Sequence, residues 1–428
     1  MRRGTRALPR APARARRRGG AILIVSSISP NTFEEAAAAL AAAAAEGHTV
    51  GIAGGGSKRG WGVPAPDPQL ELRTTALKAT VEHNVGDLTA VFQAGVPLAR
   101  AQQELAAQGQ MLALDPPSGL PSRLPSARPP ASPEGAAPES SGWRGSNGAA
   151  TLGGVFATGD CGPLRHRYGA PRDMILGITV ALSDGTIARA GGKVIKNVAG
   201  YDLAKLFTGS FGTLGVILSV SVRLHPLPVG RTTALGASAD PDAVSSAAHA
   251  LASEPLELEA LDVAWRSGRG GILAQLAGVQ ASRRASRVAE LMRTAGLTQV
   301  EVVTDDRALW ARQRAGQRSP HGALVRIAAR PSELAIVLRA ADACSGTLVG
   351  RAALGASFVD IDPGAVARLR AALPTGAVSV VLDAPTELRQ ALDPWGAAEG
   401  PALELMRRVK FRFDPAGACN PGVFVGGI

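Results

Sequence analysis

Residues 191–217, GGKVIKNVAGYDLAKLFTGSFGTLGVI, constrain this chain more than any other stretch: six glycines and three lysines, with Asn197, Tyr201 and Asp202, lie between two apolar segments. Glycine has no Cβ and reaches backbone conformations closed to other residues. The backbone here is therefore built to come close to something bulky, and a few polar side chains fix that group's orientation.

The 428 residues suit two or three domains rather than one small core. A hydrophobic content of 46% is enough for sizeable cores, whereas 51 glycines, 30 prolines and abundant alanine dilute the local meaning of each. The formal charge of +11 invites a nucleic-acid reading, but eight arginines fall within residues 1–20 and +3 is left for the remainder. That distribution describes a balanced body with a basic tail and argues against nucleic-acid binding. Residues 1–30 read as a disordered extension or an upstream start. The apolar run AILIV at 21–25 is shorter than the ~7–15 residues of a signal core or the ~20 of a membrane span. No membrane insertion is expected. Three widely spaced cysteines, Cys161, Cys344 and Cys419, argue against a disulfide scaffold, a structural zinc or a self-contained iron–sulfur cluster, and point to a reducing cytoplasm.

Along the chain, Thr32-Phe33-Glu34-Glu35 is a capping box opening an alanine-rich helix to Ala45. His48–Ile52 reads as a buried strand feeding AGGGSKRGWG at 53–62. Consecutive glycines followed by Ser57 and Lys58 can form a nest of free N–H groups for phosphate oxygens, or simply a turn. Neither a Walker A loop nor G-x-G-x-x-G opening a helix is present. Strands are expected at 70–73, 79–83 and 89–94, and a helix from Leu98 to about Gln108. Residues 116–148 are proline-rich with little large apolar content and read as a surface insertion. A second glycine-rich stretch, ATLGGVFATGDCGP, fills 150–163. A hairpin follows, with strands 174–182 and 187–190 joined at Asp184-Gly185. After the 216–224 strand, His225-Pro226-Leu227-Pro228 marks a boundary. Residues 229–400 show strand and helix segments without glycine-rich turns: strands at 271–277, 323–328, 357–361 and 378–382, helices at 243–251, 282–295, 331–343 and 364–373. This is the pattern of an α+β domain. A last helix, 402–409, leads to KFRFDPAGACNPGVF at 410–424.

GGGS at 54–57, TLGG at 151–154, Tyr168-Gly169 with Arg172-Asp173, KNVAGYDLAKLFTGSFGTLGVI at 196–217 and FDPAGACNPG at 413–422 together resemble flavoproteins of the vanillyl-alcohol oxidase / p-cresol methylhydroxylase type. Within that family the likeness is to the FAD-binding subunits of bacterial glycolate oxidases. It spans most of 31–228 and 402–428. The resemblance implies an α+β fold: a two-subdomain FAD-binding domain at 31–228, a smaller α+β cap domain at 229–400, and a segment from 401 to 428 that returns to the FAD domain. It also implies that Gly54, Gly55, Gly56 and Ser57 take the FAD pyrophosphate. Thr151, Leu152, Gly153, Gly154 and Thr158 would run along the dinucleotide. Asn197, Ala199, Gly200, Tyr201, Gly212, Gly215 and Ile217 would lie nearby, with Asn420 at the isoalloxazine edge. No histidine occupies the 53–58 loop, so the implied FAD is non-covalent. The implied partners are a second, larger flavin subunit and an iron–sulfur subunit, and the implied substrate is a small 2-hydroxy acid, with glycolate oxidised to glyoxylate.

Six histidines, none in an H-x-H pattern, give no metal site and no catalytic residue from sequence. Two other readings stay open: a free-standing FAD-linked 2-hydroxy-acid or alcohol oxidase, and a flavin-binding relay subunit without substrate chemistry. Several side chains carry paired readings. Lys196 and Tyr201 are flavin partners or surface residues; Arg165, His166 and Arg167 attract an anion or line a solvated loop. Cys419 is redox-active or packed, and Asp360 and Asp362 are ligands or turn formers.

Overall fold

The computed structural model describes residues 14–18, 21–117, 150–193, 201–319, 322–396 and 400–428. Most of the expected insertion, together with Lys196, Asn197, Ala199 and Gly200, lies outside the described residues.

Thr32 caps the first helix, Phe33–Ala45: its Oγ1 accepts from Glu35 N at 3.1 Å, while the Glu35 carboxylate accepts from Asn31 N at 2.8 Å. The helix buries Ala36, Ala37, Leu40 and Ala43 beside a four-stranded sheet ordered Arg14–Arg18, Ala21–Ile28, Leu70–Arg73, Val50–Ala53. Two of those strands fall within the 1–30 stretch expected to lack structure. Strand Ala21–Ile28 pairs in parallel with Leu70–Arg73 on one side and antiparallel with Arg14–Arg18 on the other.

A five-stranded antiparallel sheet follows, ordered Thr80–Asn84, Thr89–Gln93, Val216–Arg223, Ile175–Ala181, Ile187–Gly191. The Asp184-Gly185 hairpin forms as its chemistry requires: Asp184 Oδ1 accepts from Thr186 N at 2.9 Å and Gly185 sits at φ +85°. The helices Leu98–Ala106 and Leu152–Thr158 pack on this sheet through Leu98, Ala101, Leu105, Leu152, Val155 and Phe156.

An eight-stranded antiparallel sheet forms the cap, ordered Thr298–Val303, Arg231–Ser238, Arg269–Ala277, Ala260–Arg266, Thr347–Arg351, Ala356–Ile361, Ala323–Ala328, Val378–Asp383. Its chain order is a β-α-β-β-α-β unit used twice, with helices Pro241–Ser253 and Ala281–Thr294 in the first copy and Leu334–Ala343 and Val366–Ala372 in the second. The copies join where Ala260–Arg266 pairs with Thr347–Arg351. Side chains alternate as strands require: Ala323, Val325 and Ile327 meet the helices, while Leu324 faces the other way with Phe358, Val380 and Leu382. That second face packs on Trp61, Phe211 and Trp395, which brings the cap onto the first two sheets.

The C-terminal helix Pro401–Phe413 and the tail return to the first sheet. Val50 N donates to Ala418 O (2.8 Å) and Asn420 N to Val50 O (3.0 Å). Among the described residues no helix is long and apolar enough to cross a membrane.

Candidate functional site

One cleft of about 1290 Å³ is lined by the first sheet, the helix Leu152–Thr158, the 211–217 segment, the C-terminal tail, and Thr386 and Arg389 of the cap. It is larger than the ~300–1,000 Å³ of a drug-sized site, as an extended dinucleotide needs.

The glycine loop forms one wall. Gly54, Gly55, Gly56 and Ser57 all line the cleft. The backbone N–H groups of Gly55, Ser57 and Lys58 have no protein acceptor among the described residues, so they are free to donate to a ligand. A Cβ on Gly54 would stand 2.1 Å from Thr151 Oγ1, so the loop lies against the start of the helix Leu152–Thr158 with no room for a side chain. Thr151 Oγ1 accepts from Gly154 N at 3.4 Å, and Thr158 Oγ1 donates to Gly154 O at 2.8 Å. Thr151, Gly153, Gly154 and Thr158 line the cleft; Leu152 does not, its side chain being fully buried in the second core.

The opposite wall is the 211–217 segment, where Gly212 (φ +72°), Gly215 (φ +150°) and Ile217 face the cleft. Asn420 ties the two walls together: Oδ1 accepts from Ile52 N at 2.7 Å and Nδ2 donates to Phe211 O at 2.8 Å. Asp414 and Lys410 hold the tail that carries it. Lys410 Nζ donates to Asp414 Oδ2 (2.6 Å), Thr213 O (2.7 Å) and Cys419 O (2.9 Å), and Asp414 also accepts from the N–H groups of Ala418 and Cys419. Burial raises the Asp414 pKa, but these donors outweigh it and hold the carboxyl below its usual range. Tyr201 stands apart from the cleft lining and is 92% exposed.

Sequence reasoning missed the charged cluster on the cap side. Lys58 Nζ lies 3.3 Å from Asp160 Oδ2, and Arg318 Nη2 of the cap lies 2.9 Å from the same oxygen. Lys58 and Asp160 are buried, and the two cations stand over the Trp61 ring at 5.9 and 5.1 Å. Burial lowers the Lys58 pKa and Arg318 adds to the effect. Asp160 stays below the ordinary carboxylate range because the two cations outweigh its own burial. Asp160 lies within the second glycine-rich stretch, which was a usable signal; Arg318 lies 158 residues further on, with no local motif to mark it.

The remaining candidates resolve toward structure. Arg167 pairs with Glu259 of the cap at 3.2 Å, Arg165 lies 3.7 Å from Cys161 Sγ, and neither they nor His166 lines the cleft. Cys419 is fully buried, and burial pushes its thiol pKa up. Asp360 accepts from Ser319 Oγ at 2.5 Å, and Asp362 accepts from Gly364 N as a turn former. Among the described residues no group of three His, Cys, Asp or Glu side chains is arranged to hold a metal ion.

Comparison with known proteins agrees with this geometry. Residues 27–126 and 142–191 match the FAD binding domain model, and 395–424 match the C-terminal domain of FAD linked oxidases. Glycolate oxidase subunit GlcE of Escherichia coli (strain K12) is 32% identical over 177 residues, 41% of this chain and 42% of that protein. Glycolate oxidase subunit GlcD of Bacillus subtilis (strain 168) is 39% identical over 116 residues, 26% of this chain and 25% of that protein. The chain thus matches less than half the length of either relative. A structure of alkyldihydroxyacetonephosphate synthase superimposes with a TM-score of 0.64 at 14% identity, over 93% of this chain and 75% of that one. The chain is therefore an α+β protein of the p-cresol methylhydroxylase fold type with a cap, it carries an FAD-binding domain, and FAD is its cofactor.

Proposed function

We propose that this chain is the FAD-binding subunit of a multisubunit glycolate oxidase or dehydrogenase, acting beside a larger flavin subunit and an iron–sulfur subunit in the cytoplasm. Oxidation of glycolate to glyoxylate releases two electrons and two protons. FAD supplies the two-electron acceptor, and the electrons leave through the iron–sulfur partner. The chain's own part is to bind and orient: Gly54–Ser57 backbone donors at the pyrophosphate, Thr151, Gly153, Gly154 and Thr158 along the dinucleotide, and Gly212, Gly215, Ile217 and Asn420 nearby.

Two things support this reading: the likeness to two glycolate oxidase subunits, and the chemistry of the cleft. The observation that carries it is the cleft lining, which includes none of the five histidines among the described residues. Of its three acids, Glu35 and Glu71 already have partners, Asn31 N for the one and Arg59 and Arg73 for the other, and Asp67 is exposed to solvent at the rim. The site is prepared to hold a flavin more than to take a proton from a hydroxyl group. Anaerobic addition of glycolate tests the reading. The flavin absorption of the isolated chain should persist, and that of the assembled complex should bleach. Bleaching in the isolated chain would instead make it a free-standing hydroxy-acid oxidase.

A further inference from the structure

The Lys58 ammonium has donor capacity that the protein leaves unused. Its side chain is only 6% exposed, it lines the cleft, and its Nζ makes no geometrically sound hydrogen bond; the contact with Asp160 is an ion pair at 3.3 Å. Asp160 is shared with Arg318, so the two cations touch one carboxylate in a buried place; the next acid, Asp383, acts on Arg318 and is shared with Arg389. A buried excess of positive charge calls for an anionic or electron-rich group. Lys58 also stands apart from the phosphate-type donors. The free N–H groups belong to the loop backbone, whereas the side chain turns to Trp61 and the cap side. There the cleft wall is apolar: Trp61, Phe211, Val63 and Val423 line it, and Phe211 meets Trp395 edge-on at 5.0 Å and the tilted Phe424 ring at 5.5 Å. Such a wall suits an aromatic ring rather than a phosphate.

We propose that Lys58, held by Asp160 over Trp61, donates to the redox ring of FAD and stabilises the negative charge that reduction places there. Lys58 is then a cofactor-contacting residue that tunes the flavin potential, and Asp160 is its positioning residue. The inference rests on FAD as the cofactor and is independent of the substrate.

The test is the midpoint potential of FAD bound to the full chain, together with the dissociation constant for oxidised FAD, in the wild type, Lys58→Met and Lys58→Arg. Lys58→Met should lower the affinity for reduced relative to oxidised FAD at least tenfold, about 30 mV downward for a two-electron couple. Affinity for oxidised FAD should change less than threefold, and Lys58→Arg should restore most of the potential. An unchanged potential overturns the inference, whether oxidised FAD binds as before or tenfold more weakly; the latter result assigns the ammonium to the pyrophosphate. Should Lys58→Met fail to fold, Lys58→Gln carries the same prediction. Loss of FAD from a folded Lys58→Gln also assigns the ammonium to the pyrophosphate and overturns the proposal.

Discussion

Asp414 shows how one side chain can hold a motif together. Its fully buried carboxylate takes Lys410 and two backbone N–H groups, and Lys410 in turn reaches Thr213 O, far away in sequence. Removing one partner of a buried pair leaves the other charge uncompensated, a loss of about 3–5 kcal/mol. Asp414→Ala should lower stability by that order in urea denaturation, and a change under ~1 kcal/mol would contradict the role. Because the folded-state pKa lies below the ordinary 3.8, this contribution is present above that pH and fades as pH falls through the folded value. The sequence displayed FDPAGACNPG as a motif, and Asn420 within it as a site residue. It did not show that Asp414 positions Asn420, since that depends on the bonds by which Lys410 and Asn420 reach the 211–217 segment across the fold.

At the scale of elements, ATLGGVFATGDCGP read only as a glycine-rich stretch, and it contains a helix, Leu152–Thr158. Thr151 caps it, Gly159 ends it at φ +64°, and the glycines inside it serve contact rather than flexibility. Gly153 N donates to Ala94 O at 2.7 Å, and a Cβ on Gly153 would stand 2.7 Å from the Ala94 methyl. Gly153→Ala should therefore cost about 1–3 kcal/mol by overpacking, read as a lower urea midpoint. A neutral result would mean that the helix can lift off the sheet freely. Elements with a clear period were legible in the sequence: the capped first helix, the Asp-Gly hairpin and most cap helices. The cap strands Arg231–Ser238, Ala260–Arg266, Thr298–Val303 and Thr347–Arg351 were not. They are built from small or polar residues, and some of those polar residues are buried and satisfied only in the tertiary fold. Thr233 bonds Asp306 at 2.7 Å, and Asp262 bonds Arg351 at 2.6 Å. Propensity cannot report a strand whose stability comes from such partners.

For the whole molecule, polar ties fasten the cap to the FAD-binding sheets. Arg318 meets Asp160, Arg351 Nε donates to Gly162 O at 3.1 Å, Tyr168 Oη donates to Glu259 at 2.8 Å, and Arg389 Nη1 donates to Gly62 O at 3.2 Å. Asp262, behind Arg351, has one carboxylate oxygen without a hydrogen-bond partner, and burial pushes its pKa up to about 6 despite the Arg351 charge. A raised carboxyl pKa means that the folded state binds more protons than the unfolded chain between pH 3.8 and about 6. Stability from this group therefore falls as pH rises through that window, by roughly 3 kcal/mol at 1.36 kcal/mol per unit. Thermal melts from pH 4 to 7 should show that decline, shared with Asp115, whose carboxyl burial likewise raises to about 7, so Asp262→Asn should make it shallower while lowering stability at every pH. A wild-type profile that rises across the window would contradict it.

The account's central claim is that the glycine-lined cleft is where FAD binds, and Gly55 tests it most directly. Gly55 lines the cleft outside the positive-φ region, so a side chain there blocks ligand approach without straining the backbone. The measurement is FAD bound per folded chain, from flavin absorbance after purification and dialysis, in the wild type and Gly55→Leu. The account predicts close to one FAD per wild-type chain and loss of at least nine-tenths of it in the variant. Wild-type occupancy in a folded Gly55→Leu protein would place the cofactor elsewhere.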